Sequence, residues 1–137
     1  RIGLLGLSFK PNTDDMRDAP SIDIANSLLA AGAQVCAYDP VAMDAAGPLL
    51  PEVEMYTEVY AMAEGCDALM VITDWNEFKH LDLARIKTLM RQPIIFDGRN
   101  IYDPDSMASL GFHYRGLGRG YDGRKIINRE DLELSAA

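Results

Sequence analysis

The sequence contains few of the residues from which metal, redox and nucleophilic sites are built. It has two cysteines, two histidines and one tryptophan among 137 residues. Cys36 and Cys66 have no cysteine or histidine nearby in a metal-ligand spacing, so we interpret them as buried structural thiols rather than as a disulfide, metal or nucleophile pair. His80 and His113 are isolated, which favours surface positions over a role as general bases. The sequence therefore predicts no metal site.

Positive charge and long hydrophobic runs are also scarce. Lys and Arg number 13 against 21 Asp and Glu, and the net charge of -8 argues against nucleic acid as a general partner. A small anionic ligand is still allowed. Charges farther from it than a Debye length of about 8 Å are largely screened, so the cations close to it dominate. The longest apolar runs, such as residues 68–72, are far short of the roughly 20 residues that span a bilayer. With no membrane span and no export signal in this sequence, we predict a cytoplasmic protein.

The length and the order of the hydrophobic patterns predict one α/β domain. A chain of 137 residues suits a single core. Apolar runs predict strands at residues 2–7, 34–38, 68–73, 93–96 and, with a weaker pattern, 112–114. Helical patterns cover residues 21–31, 41–49, 57–64, 81–90 and 103–110, and Ser21 is the expected cap of the first helix. This order predicts a three-layer, doubly wound, mostly parallel Rossmann-like sheet with helices on both faces.

The end of the chain differs in composition from the rest. Residues 119–137 mix Arg, Lys, Asp and Glu with little apolar periodicity. Within them, residues 131–134 alternate acidic residues with leucine, a pattern compatible with a short strand or with a solvated tail, and we favour the tail. We therefore predict a ligand-binding domain over residues 1–118 and a polar tail over residues 119–137.

Two predicted strands end in loops that carry a cation, at the edge where open α/β sheets bind ligands. Lys10 follows the first strand, where its charge suits a fixed contact to a phosphate, although an exposed loop lysine is the commoner case. Phe9 before it suits either a ligand contact or the core at the strand end. Two cationic strand ends at one edge indicate a single anionic ligand.

The second cation, Arg99, follows the strand at residues 93–96 in a loop that begins with Asp97 and Gly98. A guanidinium can donate two parallel hydrogen bonds to a phosphate, and glycine permits close approach of the backbone. An ion pair between Arg99 and Asp97 or Asp103 fits the spacing equally well. The sequence alone leaves these two interpretations open.

Asp39 ends the second strand, where a dinucleotide-binding fold places the acid that binds ribose. The glycine-rich fingerprint that accompanies such an acid is missing, because Gly3 and Gly6 do not complete the motif G-x-G-x-x-G. Residues 9–11 also fill the loop in which a pyrophosphate would lie. We therefore interpret Asp39 as a structural residue.

Four segments share the sequence, order and spacing of one protein family. They are Gly6–Arg17, Ala37–Pro40, Thr73–Phe78 and Phe96–Asn100. Together they resemble the carboxy-terminal, UDP-binding domain of the UDP-glucose/GDP-mannose dehydrogenase family, from about residue 1 to residue 118. The first and fourth of these segments contain the two cationic loops described above, with Lys10 and Arg99.

The resemblance implies roles for individual residues. Phe9 and Lys10 look like the pair that binds the UDP-sugar in these enzymes. Arg99 resembles an arginine that contributes to substrate binding, and Asp97 is then expected to hold its loop. Arg17 resembles a contact to the pyrophosphate of NAD, made across the cleft to a second domain. From the sequence alone, Arg17 suits an ion pair with one of the nearby aspartates 14, 15 or 18.

The resemblance also implies what the chain lacks. Complete enzymes of the family resemble NAD-dependent dehydrogenases that oxidise the C6 alcohol of a nucleotide sugar twice, to a carboxylate. Their cysteine nucleophile and their NAD fingerprint belong to an amino-terminal dehydrogenase domain, and neither motif is present here. We therefore expect this chain to be a fragment that has no catalytic residue and is inactive alone. The complete enzyme is expected to be a homo-oligomer.

The choice of nucleotide sugar stays open at this point. The segments at residues 11–17 and 97–102 look closest to the UDP-glucose branch of the family. GDP-mannose and UDP-N-acetyl-sugar dehydrogenases share the scaffold and are the near alternatives. A non-catalytic, flavodoxin-like interaction module that binds a partner through its acidic surface is the alternative from another class.

Overall fold

The fold is built around one twisted sheet. A computed structural model of the protein describes residues 1–118 and 120–121. Seven strands lie in the order β3-β2-β1-β4-β5-β6-β7. Their bounds are β1 Ile2–Leu5, β2 Val35–Tyr38, β3 Glu54–Met55, β4 Ala68–Val71, β5 Ile94–Asp97, β6 His113–Gly116 and β7 Gly120–Tyr121. All neighbouring strands pair in parallel except β7, which pairs with β6 in the antiparallel direction.

Helices cover both faces of the sheet. They are α1 Pro20–Ala30, α2 Met43–Ala46, α3 Val59–Ala63, α4 Leu83–Leu89 and α5 Pro104–Leu110, with short 3₁₀ segments at Gly47–Leu49 and Asn76–His80. Ala25 of α1 and Ala46 of α2 belong to one buried cluster, whereas Met62, Ile86 and Met107 of α3, α4 and α5 belong to the other. The three-layer, doubly wound, mostly parallel architecture predicted from the sequence is confirmed.

Several local predictions were wrong. Ser21 does not cap α1, because Ala19 is the N-cap residue and makes no side-chain bond. Ser21 is buried instead, and its hydroxyl donates to the carbonyl of Leu7 at 2.6 Å, which joins the start of α1 to the end of β1. The helix expected at residues 41–49 is divided between α2 and a 3₁₀ turn that contains Pro48, a residue without an N–H to continue an α-helix.

The predicted tail is described only in part. Gly120–Tyr121, which fall inside residues 119–137, form the edge strand β7 beside β6. The pattern at residues 131–134 lies outside the described residues. Within the described part of the chain, no helix combines the length and the apolar character needed to cross a membrane.

Candidate functional site

The carboxyl ends of β1, β2 and β4 are joined by the carboxylate of Asp39. This side chain is fully buried, and it accepts hydrogen bonds from five N–H groups and one hydroxyl. The donors are the backbone N–H groups of Leu7 (2.8 Å), Ser8 (3.1 Å), Val41 (2.9 Å) and Ala42 (2.7 Å), the Ser8 hydroxyl (3.3 Å) and the Trp75 indole (3.1 Å). Asp39 is thus a structural residue, as the sequence predicted.

The environment of Asp39 stabilises the charged form of its carboxylate. Burial raises the pKa of Asp39, but the backbone N–H donors together outweigh burial and leave the pKa below its ordinary value of 3.8. A buried anion held by backbone donors fixes the start of two loops at once, the loop after β1 and the loop after β2. Both oxygens of the Asp39 carboxylate already accept hydrogen bonds from the protein, so neither is available to a ribose hydroxyl.

The loop after β1 is held close to β4. Gly6 has a φ of +95°, and a Cβ atom there would lie 2.4 Å from the Cβ of Thr73, so only glycine fits. The Thr73 hydroxyl donates to the carbonyl of Ser8 at 2.8 Å. The N–H of Phe9 then donates to the carbonyl of Asp15 at 2.8 Å and closes the loop on itself. The chain therefore presents residues 9–15 as a fixed loop at the sheet edge.

Phe9 and Lys10 point outward from that loop. Phe9 is 48% exposed, so the alternative in which it belongs to the core at the end of β1 is wrong. Lys10 is exposed, and its carbonyl accepts a hydrogen bond from the buried Ser8 hydroxyl at 2.9 Å. An exposed aromatic ring beside an exposed ammonium offers stacking and charge to a ligand at one place.

Arg17 is engaged within its own loop. Its guanidinium donates to both carboxylate oxygens of Asp15, at 3.1 Å and 2.9 Å, and its backbone N–H donates to Asp15 at 2.9 Å. These contacts lower the pKa of Asp15 to about 2. The Arg17 side chain is nevertheless 89% exposed. Its ion pair is thus with one of the three aspartates that the sequence spacing indicated, and its side chain is open to solvent.

The loop after β5 is organised by a second buried carboxylate, that of Asp97. Four groups donate to it: the backbone N–H groups of Arg99 (3.1 Å), Ile101 (2.9 Å) and Tyr102 (3.0 Å), and the Tyr114 hydroxyl (2.6 Å). Asp97 is 1% exposed. The prediction that Asp97 holds this loop is confirmed, and Asp97 binds the backbone N–H of Arg99 rather than forming the ion pair that was one of the open alternatives.

Arg99 forms its ion pair with Asp74, a residue that the sequence did not indicate. The guanidinium lies 3.2 Å from a carboxylate oxygen of Asp74, and the two side chains are 44% and 31% exposed. Gly98 allows the loop after β5 to lie close to β4. Its N–H donates to the carbonyl of Val71 at 3.0 Å, and a Cβ atom at this position would lie only 2.9 Å from that carbonyl oxygen. The loops after β4 and β5 therefore meet at this pair.

A cleft of about 650 Å³ opens beside Arg99 on the face of the sheet that carries α1. Its lining is mainly apolar, with two guanidinium groups among the lining residues. The residues are Pro20, Ile24, Met70, Val71, Ile72, Phe96, Asp97, Gly98, Arg99, Arg115, Gly116, Leu117 and Gly118. Phe9, Lys10 and Arg17 do not line the cleft, so the structure brings Arg99 to it and leaves the other three at the loop after β1.

Arg115 is a functional candidate that sequence reasoning missed. It lies in β6, which pairs in register with β5, so that Arg115 is opposite Phe96, and both line the cleft. The half-buried Arg115 adds a second cation near Arg99. The alternation of polar and aromatic residues at positions 113–115 was the available signal for the face on which Arg115 lies, because successive strand residues point to opposite faces.

The remaining residues of interest lie away from this edge or beneath it. His80 and His113 are exposed, as predicted. Trp75 and Phe78 are buried and pack in the core cluster under α3, α4 and α5, so they cover the sheet rather than line the cleft. Cys36 and Cys66 are both fully buried. Among the described residues, no group of three or more His, Cys, Asp or Glu side chains is arranged to hold a metal ion.

Comparison with known proteins gives this edge a context. The family described as "UDP-glucose/GDP-mannose dehydrogenase family, UDP binding domain" matches residues 3–104. The chain belongs to this family. The matched range contains the loop after β1 and the loop after β5, and therefore Phe9, Lys10, Arg17 and Arg99.

Individual relatives of the family agree in sequence and in fold. The UDP-glucose 6-dehydrogenase TuaD of Bacillus subtilis is 49% identical over 119 residues, which cover 86% of this chain and 26% of that protein. A UDP-glucose dehydrogenase structure from Pyrobaculum islandicum has a TM-score of 0.69 at 31% identity over 85% of this chain and 24% of that one. An NDP-N-acetyl-D-galactosaminuronic acid dehydrogenase from Methanosarcina mazei has a TM-score of 0.77 at 30% identity over 89% and 25%. The chain thus spans about a quarter of the length of these dehydrogenases.

The family membership raises the question of whether this chain could hold NAD by itself. The described residues do not fit a dinucleotide. The turn after β1 is closed around Gly6, which packs against Thr73, and Asp39 is buried with its oxygens already bonded to backbone donors. Arg17 is the one residue predicted to contact this cofactor, and it offers a charged group rather than a pocket.

Proposed function

We propose that this chain is the UDP-sugar-binding domain of an NAD-dependent UDP-glucose 6-dehydrogenase, the enzyme that oxidises UDP-glucose to UDP-glucuronate. The observation that carries the proposal is the position of Arg99: an exposed guanidinium at the carboxyl end of β5, on the rim of a cleft, within the family-matched range. The UDP-glucose branch is chosen because TuaD, 49% identical over 119 residues, is a UDP-glucose 6-dehydrogenase.

The charges of the site suit a diphosphate. Arg99 and Arg115 lie at the cleft, and Lys10 extends from the loop after β1 at the same edge of the sheet. The guanidinium of Arg99 forms an ion pair with Asp74 and has further N–H groups that can donate to a phosphate. These local cations can bind an anion although the chain carries a net charge of -8.

The apolar parts of the site suit the nucleoside and the sugar. The exposed ring of Phe9 can cover one face of the ligand while Lys10 contacts its phosphate or ring oxygen. Phe96 and Leu117 give the cleft an apolar wall beside the two arginines. We assign Phe9, Lys10 and Arg99 to substrate binding, with Asp97 as the residue that positions the Arg99 loop.

In this proposal the oxidation takes place on another domain. An amino-terminal dehydrogenase domain supplies the cysteine nucleophile and the NAD site, and the complete enzyme is a cytoplasmic homo-oligomer. Arg17, whose side chain is exposed, contacts the NAD pyrophosphate across the interdomain cleft. The contribution of this chain is then to hold the nucleotide sugar in position, and the chain alone oxidises nothing.

A UDP-N-acetyl-sugar substrate is the second candidate. It is favoured by a solved structure of similar fold, a UDP-D-ManNAc dehydrogenase from Pyrococcus horikoshii, with a TM-score of 0.70 at 34% identity over 87% of this chain. The two candidates share the UDP moiety and differ in the sugar. They are therefore separated by comparing UDP-glucose with UDP-N-acetylmannosamine as ligands.

Titration calorimetry of the chain with UDP, UDP-glucose, UDP-N-acetylmannosamine and GDP tests the proposal. We expect UDP-glucose and UDP to bind and GDP to bind more weakly. Lys10→Ala and Arg99→Ala should each weaken UDP binding by about 1–3 kcal/mol, the range of a charge-assisted hydrogen bond. The matched control is Arg91→Ala, which removes a 77% exposed arginine that precedes β5 at the opposite edge of the sheet.

The outcomes separate the alternatives. Equal loss of affinity in Arg91→Ala would show general charge attraction rather than a site. Absence of heat with every nucleotide at millimolar concentration would overturn a site formed by this chain alone and favour the interaction-module alternative. NADH production by the chain with NAD and UDP-glucose, abolished by changing either cysteine, would overturn the assignment of chemistry to another domain.

A further inference from the structure

The two cysteines of the chain meet in the core, away from the proposed ligand site. Cys36 lies in β2, and Cys66 lies between α3 and β4. Their sulfur atoms are 3.6 Å apart although strand β1 separates β2 from β4 in the sheet. Both side chains are fully buried. Thiol contact across an intervening strand requires that this strand leave room for it.

Gly3 of β1 provides that room. It is opposite Cys36 in the register of β1 and β2. A Cβ atom at Gly3 would lie 3.2 Å from the Cys66 sulfur and 2.5 Å from the Met62 sulfur, so any other residue would occupy the space in which the sulfurs lie. The glycine thus lets side chains from two non-adjacent parts of the sheet touch.

The two thiols share a hydrogen-bonding environment at the carbonyl of Met62. The Cys66 thiol donates to the carbonyl of Met62 at 3.2 Å. The Cys36 sulfur lies 3.6 Å from the Cys66 sulfur, 3.7 Å from the same Met62 carbonyl and 3.5 Å from the carbonyl of Ile2. A hydrogen bond from Cys36 and, more weakly, the positive charge of Arg1 lower the pKa of Cys66 below its ordinary value. The same pairing, with burial, raises the pKa of Cys36. We therefore expect Cys66 to be the thiol that reacts first.

We propose that Cys36 and Cys66 form a peroxide-sensitive dithiol that is oxidised to an intramolecular disulfide across β1. The sulfurs must close from 3.6 Å to a bond of about 2.05 Å. This inference is independent of the proposed nucleotide-sugar site, since neither cysteine lines the cleft.

The reaction balances with a peroxide as the oxidant. The Cys66 thiolate attacks one oxygen of hydrogen peroxide, the O–O bond breaks, and a sulfenic acid and one water form once the departing hydroxide takes a proton. Cys36, after giving up its proton, attacks the Cys66 sulfur, the S–O bond breaks, and the disulfide and a second water form. In sum, two thiols lose two electrons and two protons, and one peroxide becomes two waters.

The burial of the pair selects the oxidant. Because both thiols have no exposed surface, a bulky disulfide reagent reaches them only when the domain opens, whereas a small neutral peroxide needs far less room. We therefore expect hydrogen peroxide to oxidise the native protein at a concentration and time at which glutathione disulfide leaves both thiols free.

Intact-mass spectrometry tests the proposal on the full chain. The native protein is treated with hydrogen peroxide, the peroxide is removed with catalase, and the protein is then denatured in N-ethylmaleimide. We expect a loss of about 2 Da with no maleimide adduct, and recovery of both adducts after dithiothreitol. Two adducts without dithiothreitol, oxygen addition without the loss of hydrogen, or a cross-linked dimer would each overturn the proposal.

Single substitutions assign the order of the steps. Cys36→Ser should abolish the loss of mass and leave Cys66 as a sulfenic acid that dimedone traps. Cys66→Ser should abolish the loss of mass and give less dimedone adduct. If either variant still loses two hydrogens, the disulfide is not the one proposed. The result on the unsubstituted protein decides the question even if a variant fails to fold.

Discussion

The guanidinium of Arg99 lies 3.2 Å from a carboxylate oxygen of Asp74, and this ion pair joins the loops that follow β5 and β4. Both partners are partly exposed, so solvent screens the attraction and leaves it weak enough to be exchanged for a better partner. A diphosphate that binds Arg99 must do so beside the Asp74 carboxylate. The ligand therefore meets a positive guanidinium and a negative carboxylate side by side.

Asp74→Asn should strengthen UDP binding. The change removes a negative charge that repels the diphosphate and releases Arg99 from its ion pair. We expect a gain of up to about 1 kcal/mol, the upper range of an exposed pair, that shrinks as salt is added. Calorimetry at low and high salt measures it. Weaker binding in Asp74→Asn would mean that Asp74 orients Arg99 instead of competing with the ligand.

Gly98→Ala should disturb the Arg99 loop and the fold together. The added Cβ would lie 2.9 Å from the carbonyl of Val71, so β4 and the loop after β5 must separate. We expect the free energy of unfolding to fall by about 1–3 kcal/mol, as for overpacked sites. Gly47→Ala is the matched control, because no atom lies within 4 Å of its added Cβ. Urea titrations of both variants give the comparison, and equal stability would contradict the steric argument.

Asp97→Ala should destabilise the domain more than an exposed aspartate does. The substitution removes the acceptor of three backbone N–H groups and leaves the Tyr114 hydroxyl with the carbonyl of Tyr102, at 3.2 Å, as an acceptor. Each unsatisfied buried group costs about 1–3 kcal/mol, and partial access of water reduces the sum, so we expect a loss of about 2–4 kcal/mol. Asp44→Ala, at an exposed position of α2, should stay within about 0.5 kcal/mol of the original protein. Chemical unfolding of the two variants measures the loss in the free energy of unfolding for each.

The stability of the domain should fall in acid through Asp39. Its pKa is below 3.8 in the folded protein, so the unfolded state binds the proton more readily. The contribution of this carboxylate is complete above about pH 4 and is lost as the pH falls through the folded pKa. Asp39→Asn should therefore be less stable near neutral pH and show a shallower decline in acid. Urea unfolding followed by circular dichroism at several pH values measures both slopes, and parallel slopes would contradict the assignment.

The fold was predictable where hydrophobic runs were long enough to show a period. The strands at the starts of the predicted runs 2–7 and 68–73 formed, and their order gave the parallel sheet. The two-residue strands β3 and β7 escaped prediction, because two residues have no period to recognise. The 3₁₀ turn at Asn76–His80 escaped because its sequence is polar and carries no helical stripe.

The candidate site was predictable only one loop at a time. The chemistry of Lys10 and Arg99 could be inferred from residue type and from their place after a strand. The ion pair between Arg99 and Asp74 could not, because these residues become neighbours only through the pairing of β4 with β5. The role of Arg115 likewise depends on β6 lying next to β5. Such contacts belong to the sheet order and leave no mark on local sequence.

Trp75 is the single tryptophan of the sequence, and its indole N–H donates to the buried carboxylate of Asp39 at 3.1 Å. The tryptophan fluorescence of the protein therefore arises from one chromophore that connects the loop after β4 with the carboxylate that anchors the loop after β1. Any ligand that shifts either loop changes the surroundings of that one indole. The protein thus carries a built-in, label-free optical reporter at the edge where we place the nucleotide sugar.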